Sequence, residues 1–359
     1  MRAMSTFTVP VVRIEKKDRH PDADTLSITE VEGCPVLFKT TDLNVGDLAV
    51  YIPIESVIKE ESVAGKAMPF LKFKGGKHRV KAIKLRGIFS MGLLMPATAF
   101  EVEFPALSSD VNNVAELLGI EKYEEPDDEY TGGKNPRPGI GLAQRYSDCD
   151  VDPGLMPKYD MESYRKYKDI FHNDDGPMEV VVTEKCHGTS SRYIHDGTRL
   201  WVGSHRTWRR NESINHWTQV AKALDLETRL AQYPRIGIFG EIYGWSVQDL
   251  AYGAAQGELR FAIFDAFDAD SKRFLNWDEV VELASQLGLP TVPVLYRGPM
   301  NAAIIEPLAD GKTTMGGDHI REGIVIKPVK ERWNRKIGRT IAKLVSQDYL
   351  LRPGGSERH

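Results

Sequence analysis

The chain has 359 residues, of which 41% are hydrophobic and 27% charged, and a net charge of −4. That is enough chain for about two domains with separate cores, in a composition ordinary for a soluble globular protein. A negative total gives no protein-wide attraction for polyanions, so a nucleic-acid surface has to be a local patch. The start, Met1-Arg-Ala-Met-Ser-Thr-Phe-Thr-Val-Pro10, has no apolar core of the kind a secretory leader needs. No apolar run approaches the roughly 20 residues of a spanning helix. The three cysteines, Cys34, Cys149 and Cys186, share no metal-ligand spacing and cannot all pair, which suits a reducing compartment. A cytoplasmic protein with no membrane partner is expected.

Residues 7–58 alternate β-branched runs with turns. Phe7–Ile14, Leu26–Val31, Val36–Thr40 and Leu48–Ile54 read as strands, punctuated by His20-Pro-Asp-Ala-Asp24, Glu32-Gly-Cys34 and Asn44-Val-Gly-Asp47. Short strands at this spacing predict a small barrel or sandwich. The phrase Arg13-Ile-Glu15 followed by His20-Pro-Asp-Ala-Asp24-Thr-Leu26 resembles the opening of OB-type tRNA-binding domains. From Leu71 to Gly87 come seven cations, Lys72, Lys74, Lys77, Arg79, Lys81, Lys84 and Arg86, with His78 and no acid. Most charge runs are solvated faces. Here Val80, Ile83 and Leu85 interrupt the charges, as on a folded β surface that contacts phosphates. Gly87-Ile-Phe-Ser-Met-Gly-Leu-Leu-Met-Pro96 then reads as buried strand and turn.

Residues 108–156 read as a linker between a first domain (1–107) and a second (157–359). It holds a helix-like piece, Val111–Leu118, an acidic run, Glu121–Glu129, and a Gly/Pro-rich segment, Gly132–Gly141. In the second domain, Met161–Ile170, Ile214–Leu230 and Trp277–Leu287 are predicted helices. Predicted strands are Val180–Thr183, an alternating stretch Arg192–Val202, Ile236–Gly244, Leu259–Phe267, Thr291–Tyr296, Arg321–Pro328 and Arg339–Ser346. Strands and helices without strict βαβ alternation argue for an α+β fold.

Val180–Thr183 delivers Glu184 and Lys185 to a turn closed by Gly188, a way to hold an amine against a phosphate. Lys-x-x-Gly alone is weak, since it recurs at Lys72–Gly75 and Lys84–Gly87. Four stretches together say more: Lys185-Cys-His-Gly188, Phe239-Gly-Glu-Ile-Tyr243, Glu322-Gly-Ile-Val-Ile-Lys327 and Ala342-Lys343. In this order, over 157–350, they resemble the motifs of the covalent nucleotidyltransferases, the superfamily of ligases and capping enzymes. His-Gly after the lysine and Glu-Gly-Ile-Val-Ile-Lys-Pro328 look like RNA ligases rather than DNA ligases. Only 16 residues follow Lys343, so the OB domain that DNA ligases and capping enzymes carry there is not expected. An OB-like piece lies N-terminal instead. With Val345-Ser-Gln-Asp-Tyr-Leu350, this resembles the Deinococcus-type ATP-dependent RNA ligases.

The resemblance implies an N-terminal OB-like β-barrel and a ligase-type, ATP-grasp-like nucleotidyltransferase domain of antiparallel sheets with flanking helices. It implies ATP and Mg2+ or Mn2+ as substrate and cofactor, and RNA as partner, in repair or nick sealing. Lys185 would be the nucleophile that becomes lysyl-AMP. At an ordinary pKa of about 10.4 only about 0.04% of a lysine is neutral at pH 7, so the site has to lower that value, through neighbouring cations, for which Lys327 and Lys343 are the candidates, together with a bound metal. Glu322 would hold the metal and Glu241 the ribose hydroxyls or metal. Phe264 would stack on adenine. Arg206 and Arg192 would engage phosphate, Glu184 would lie beside the purine with Gly188 at the turn, and His187 would stand near the reacting phosphates. Taken singly, Phe264 reads as core, His187 as a packed turn histidine, and the glutamates as strand-end ion pairs. Two departures from T4-type RNA ligases stand out, Ser190 where they carry Asn and Ile341 where they carry the first of two lysines. The rival readings are a guanylyltransferase or DNA ligase of the same superfamily, and an RNA-binding protein on a ligase scaffold.

Overall fold

The computed structural model describes residues 7–100, 102, 112–123 and 148–352, and the chain divides into two compact units, Met1–Pro126 and Asp127–His359. Most of the acidic run and all of the Gly/Pro-rich segment lie outside the described residues.

In the first unit, Leu48–Ile52 pairs antiparallel with Val11–Arg13 on one side and Leu93–Pro96 on the other. Successive side chains point to opposite faces of a strand. Val50 and Ile52 therefore enter a core with Val9, Ile58, Leu118 and Ile120, while Ala49 and Tyr51 enter a second with Ile14, Val36, Phe38 and Leu94. A strand covered on both faces is what the unbroken apolar run Leu48-Ala-Val-Tyr-Ile52 requires. Leu26–Val31 and Cys34–Lys39 form a hairpin through Glu32-Gly33, both at positive φ. Residues 112–123 belong to this unit: Asn112 and Asn113 accept from the backbone of Val11 and Val9, each at 2.9 Å, and Ile120–Lys122 pairs with Ser56–Lys59. Of the predicted piece Val111–Leu118, only Ala115–Leu118 is helical, ended by Gly119 in the left-handed region.

The second unit is two facing sheets. In the smaller, β1 (Glu179–Lys185) is flanked by β6 (Val294–Pro299) and the central β7 (Gly323–Pro328), with β8 (Ala342–Val345) beyond β7. The larger carries β2 (Thr189–His195), β3 (Leu200–Ser204), β4 (Ile236–Gly244) and β5 (Leu259–Asp268). Helices α1 (His216–Ala223), α2 (Leu226–Ala231) and α3 (Trp277–Leu287) pack Trp217, Leu226, Leu230 and Val280 into the larger sheet's outer core. A short α4 (Gln347–Leu351) follows β8.

Three predicted elements differ. Arg192–Val202 is a hairpin, not one strand, because Asp196 accepts from Thr198 and Arg199 and Gly197 sits at φ +106°. Ile214–Leu230 breaks into two helices where Asp225 takes φ +47°. Met161–Ile170 is not a helix. Glu162–Ser163 runs parallel to β8 and a 3-10 turn spans Lys168–Phe171, which sends Tyr164, Ile170 and Phe171 into one core.

Candidate active site

The turn Cys186–Gly188 carries the chain from the smaller sheet to the larger, and this is where the site forms. β1 alternates cleanly. Val180 and Val182 enter the core behind the smaller sheet, and Val181 points to the larger sheet's core. Lys185 lies opposite Gly323, Thr183 opposite Val325, and Val181 opposite Lys327, while Lys343 of β8 lies opposite Val325. Directly opposed residues share a face, so Lys185, Lys343 and Lys327 all project from the face that looks at the larger sheet. They stand in different rows, Lys343 two and Lys327 four residues along from the Lys185 row, about 7 and 13 Å by strand rise.

Lys185 donates to Glu322, which is 1% exposed. Glu241, on β4 opposite Ser190, also faces it, and the Gly188 backbone N–H donates to Glu241. Gly188 is required by close approach: a Cβ there would lie 2.1 Å from the Ile242 carbonyl oxygen. Burial pushes the Glu241 carboxyl up to about 8, and the negative Glu322 adds to this while Lys185 opposes it. Burial pulls the Lys185 ammonium down, but Glu322 and then Glu241 outweigh it and hold Lys185 above its ordinary value. The sequence expectation of a lysine depressed by neighbouring cations is therefore corrected. The nearest charges are carboxylates.

Lys327 is the reason. Its Nζ lies 3.0 Å from Asp265 of β5, a fully buried carboxylate that also takes Arg339 and the Tyr159 hydroxyl, each at 2.6 Å. Arg339 in turn binds Glu331. Burial lowers the Lys327 pKa and Asp265 opposes that fall. Lys327 thus ties the smaller sheet to the larger, four residues along from the Lys185 row, through an ion pair with Asp265. Lys343 is the lysine in the nearer row.

A bulge places Phe264. Phe239 pairs with Asp265 and Gly240 with Ile263, so Phe264 is skipped in the ladder. Its half-buried ring stacks on Phe239 at 6.4 Å and meets Tyr159 edge-on at 4.9 Å, leaving it fit to take a planar base. His187 is buried. Its Nε2 lies 2.6 Å from Asp249, its Nδ1 2.7 Å from the Tyr349 hydroxyl and 4.0 Å from Glu322, and its backbone N–H donates to the Tyr252 hydroxyl at 2.6 Å. Both ring nitrogens are engaged by protein, so His187 positions the turn rather than meeting phosphate itself.

Two expected nucleotide contacts are turned elsewhere. Glu184 is rotated to the opposite face of β1 from Lys185, where Thr313 and Thr314 donate to it, the Thr314 N–H at 2.8 Å. Arg192 is buried over the Trp208 ring at 4.3 Å with Nη1 near the Met156 and Pro157 carbonyls. Arg206 lies half-buried in the loop after β3, where its N–H meets Ser204. Sequence reasoning missed Asp265, Arg339, Asp249 and Tyr349. One signal was present, an aspartate inside the apolar run Leu259–Phe267.

In the first unit, Lys72, Lys74, Lys77, Lys81, Lys84 and Arg86 are exposed. Arg79 is not available to a phosphate. It binds Glu55 in a fork at 2.7 and 2.8 Å and covers the Tyr123 ring at 3.7 Å.

Among the described residues no helix is long and apolar enough to cross a membrane, and no group of three or more His, Cys, Asp or Glu is placed to hold a metal by itself. The chain was compared with known proteins. The RNA ligase family model matches residues 178–345, and an OB-fold domain model matches residues 8–97. The structure of Naegleria gruberi RNA ligase with PPi is 25% identical, with a TM-score of 0.74 over 96% of this chain and 97% of that one. A variant of the same ligase with ATP and Mn gives 24% and 0.75 over 96% and 98%. Among curated proteins, Protein Early 65 kDa of Autographa californica nuclear polyhedrosis virus is 23% identical over 187 residues, and the match spans about a third of that protein's length (34%). Capping enzymes and DNA ligases are not favoured by these matches. Residues 178–345 match the RNA ligase family model and residues 8–97 an OB-fold domain model, so the chain is similar to RNA ligases, with the OB-fold match preceding the ligase match in sequence.

Proposed function

We propose that the chain uses ATP to join a 3′-OH to a 5′-phosphate in RNA, with Lys185 as the nucleophile. The observation that carries this is one lysine at a strand end, ion-paired to a buried glutamate and faced by a second. Lys343 stands two residues along on the same face, and Phe264, re-aimed by the bulge in β5, lies against Phe239 and Tyr159. In the first step the Lys185 Nζ forms a P–N bond to the α-phosphorus, the bond to pyrophosphate breaks, and the amine loses its proton. An oxygen of the RNA 5′-phosphate then attacks that phosphorus and frees Lys185. In the third step the 3′-oxygen attacks the RNA phosphorus and AMP leaves.

Lys343 would carry the charge that moves to the leaving groups. Phe264 would hold the adenine and Glu241 the ribose. A divalent metal fits the donor set. Glu322 and Glu241 are hard oxygen ligands, too few for a closed cage, and Mg2+ or Mn2+ is ordinarily completed by phosphates and water. Glu322 and Glu241 would hold it, and its positive charge would offset Glu322, the partner that holds Lys185 protonated.

The test is incubation with α-labelled ATP and Mg2+, followed by denaturation. Label is expected on the wild-type polypeptide and not on Lys185→Ala, and label on the variant would sink the assignment. A panel of nicked and broken RNA and DNA strands then reads which ends are sealed.

A further inference from the structure

Between β7 and β8 the chain leaves the smaller sheet as a hairpin, Trp333–Asn334 paired with Gly338–Arg339. Its base is anchored, because Arg339 is held by Asp265 and Glu331 in the buried network that also holds Lys327. Its tip is not. Trp333 is 78% exposed, among the most exposed large apolar side chains of the described residues. Exposure of this kind on a side chain able to bury so much area marks a contact surface.

Gly338 lies diagonally across the ladder from Trp333 at φ +81°, and a Cβ there would stand 3.3 Å from the indole, so the glycine gives the ring room at that position. Asn334 accepts from the Lys336 N–H at 2.8 Å and closes the turn. Flanking Trp333 in the sequence are Lys330, Arg332, Arg335 and Lys336, all exposed, with no side-chain hydrogen bond or ion pair to any described residue. The one acid in the stretch, Glu331, is neutralised by Arg339. Four unshared cations on a chain of net charge −4 are a local attraction for an anion.

We infer that this hairpin is a platform on which an RNA strand stacks a base, with its phosphates along the four cations. An aromatic face amid lysines and arginines suits a single strand without regard to sequence, since every base has a face to stack. The hairpin springs from the Lys327 end of β7, four residues along from the Lys185 row. The strand it holds is therefore engaged away from the join itself. This rests on the RNA-joining reading, and its test does not need adenylyl transfer.

Binding of a labelled single-stranded RNA and of a nicked RNA duplex to the full chain would be followed by anisotropy across a salt series. Trp333→Ala is expected to weaken binding about 5- to 150-fold, and Trp333→Phe to keep most of it. Arg332→Ala with Arg335→Ala and Lys336→Ala is expected to reduce the salt slope by up to about 2. Covalent labelling by ATP alone should stay at the wild-type level in each variant, which certifies folding. Wild-type affinity and salt slope in both variants would overturn the inference and leave a protein partner as the surface's occupant. If the wild type itself takes no label, while the variants keep its Tm and lose RNA binding, the platform stands and the ligation reading falls.

Discussion

Glu241 is the residue whose chemistry the site bends furthest. Held at about 8 by burial and the nearby Glu322, it stays protonated in the folded, ligand-free chain at neutral pH, whereas in the unfolded chain it ionises near its ordinary 4.5. A folded value above the unfolded one stabilises fully below about 4.5, and that contribution is lost as pH rises toward 8. The ligand-free Tm should therefore fall across pH 5–8, less so in Glu241→Gln. Metal ligation needs the ionised form, so each ion bound below pH 8 should expel up to one proton. Affinity for Mg2+ or Mn2+ should rise up to about tenfold per pH unit below 8. Calorimetry in buffers of different ionisation enthalpy reads that proton directly. Zero release at pH 6.5 would show that Glu241 is not a ligand.

His187 belongs to the same scale. With Nε2 donating to Asp249 and the Tyr349 hydroxyl donating to Nδ1, the imidazole is held in one orientation facing Glu322. Tyr349→Phe leaves Nδ1 without that donor. The expected cost is about 1–3 kcal/mol of stability, together with slower label transfer to Lys185 at unchanged ATP affinity. A raised KM with unchanged rate would instead place the tyrosine in nucleotide binding.

At the scale of elements, strands were legible wherever a short-range pattern decided them. Ile236–Gly244 and Trp277–Leu287 have the predicted bounds, because β-branched alternation and an Asn276–Glu279 capping box are local signals. The lysines' common face followed only from register, which depends on partners 140 residues away. Phe264 depended on a bulge, and the Glu184 carboxylate on threonines 129 and 130 residues on. Chemistry was therefore readable as residue types in order, while which charge meets which was not. Gly188 shows the link from element to site. It needs no unusual φ, yet the Ile242 carbonyl fills the space of a Cβ. Gly188→Ala should push the turn off β4 and separate Lys185 from Glu241. Covalent labelling should drop well over tenfold while the outer core still melts cooperatively, and labelling within twofold of wild type would refute this.

At the scale of the whole ligase unit, the question is what holds two sheets at a fixed gap while leaving a cleft between them. Apolar packing alone would close it. Asp265 is instead surrounded by Lys327 from the smaller sheet, Arg339 from the hairpin base and Tyr159, so two cations share one fully buried acid. Removing one partner of such a group strands the others without compensation, a loss of about 3–5 kcal/mol. Removing one of two cations is milder, because Asp265 keeps Arg339 and Tyr159. Asp265→Ala should therefore lower Tm by roughly 6–20 °C, at about 2–4 °C per kcal/mol for a unit of this size, and Lys327→Met by much less. Were Lys327 instead a phosphate-binding cation, the order would invert at the level of activity. Lys327→Met would then abolish label transfer with Tm unchanged, whereas the ion-pair arrangement predicts that activity and Tm decline together.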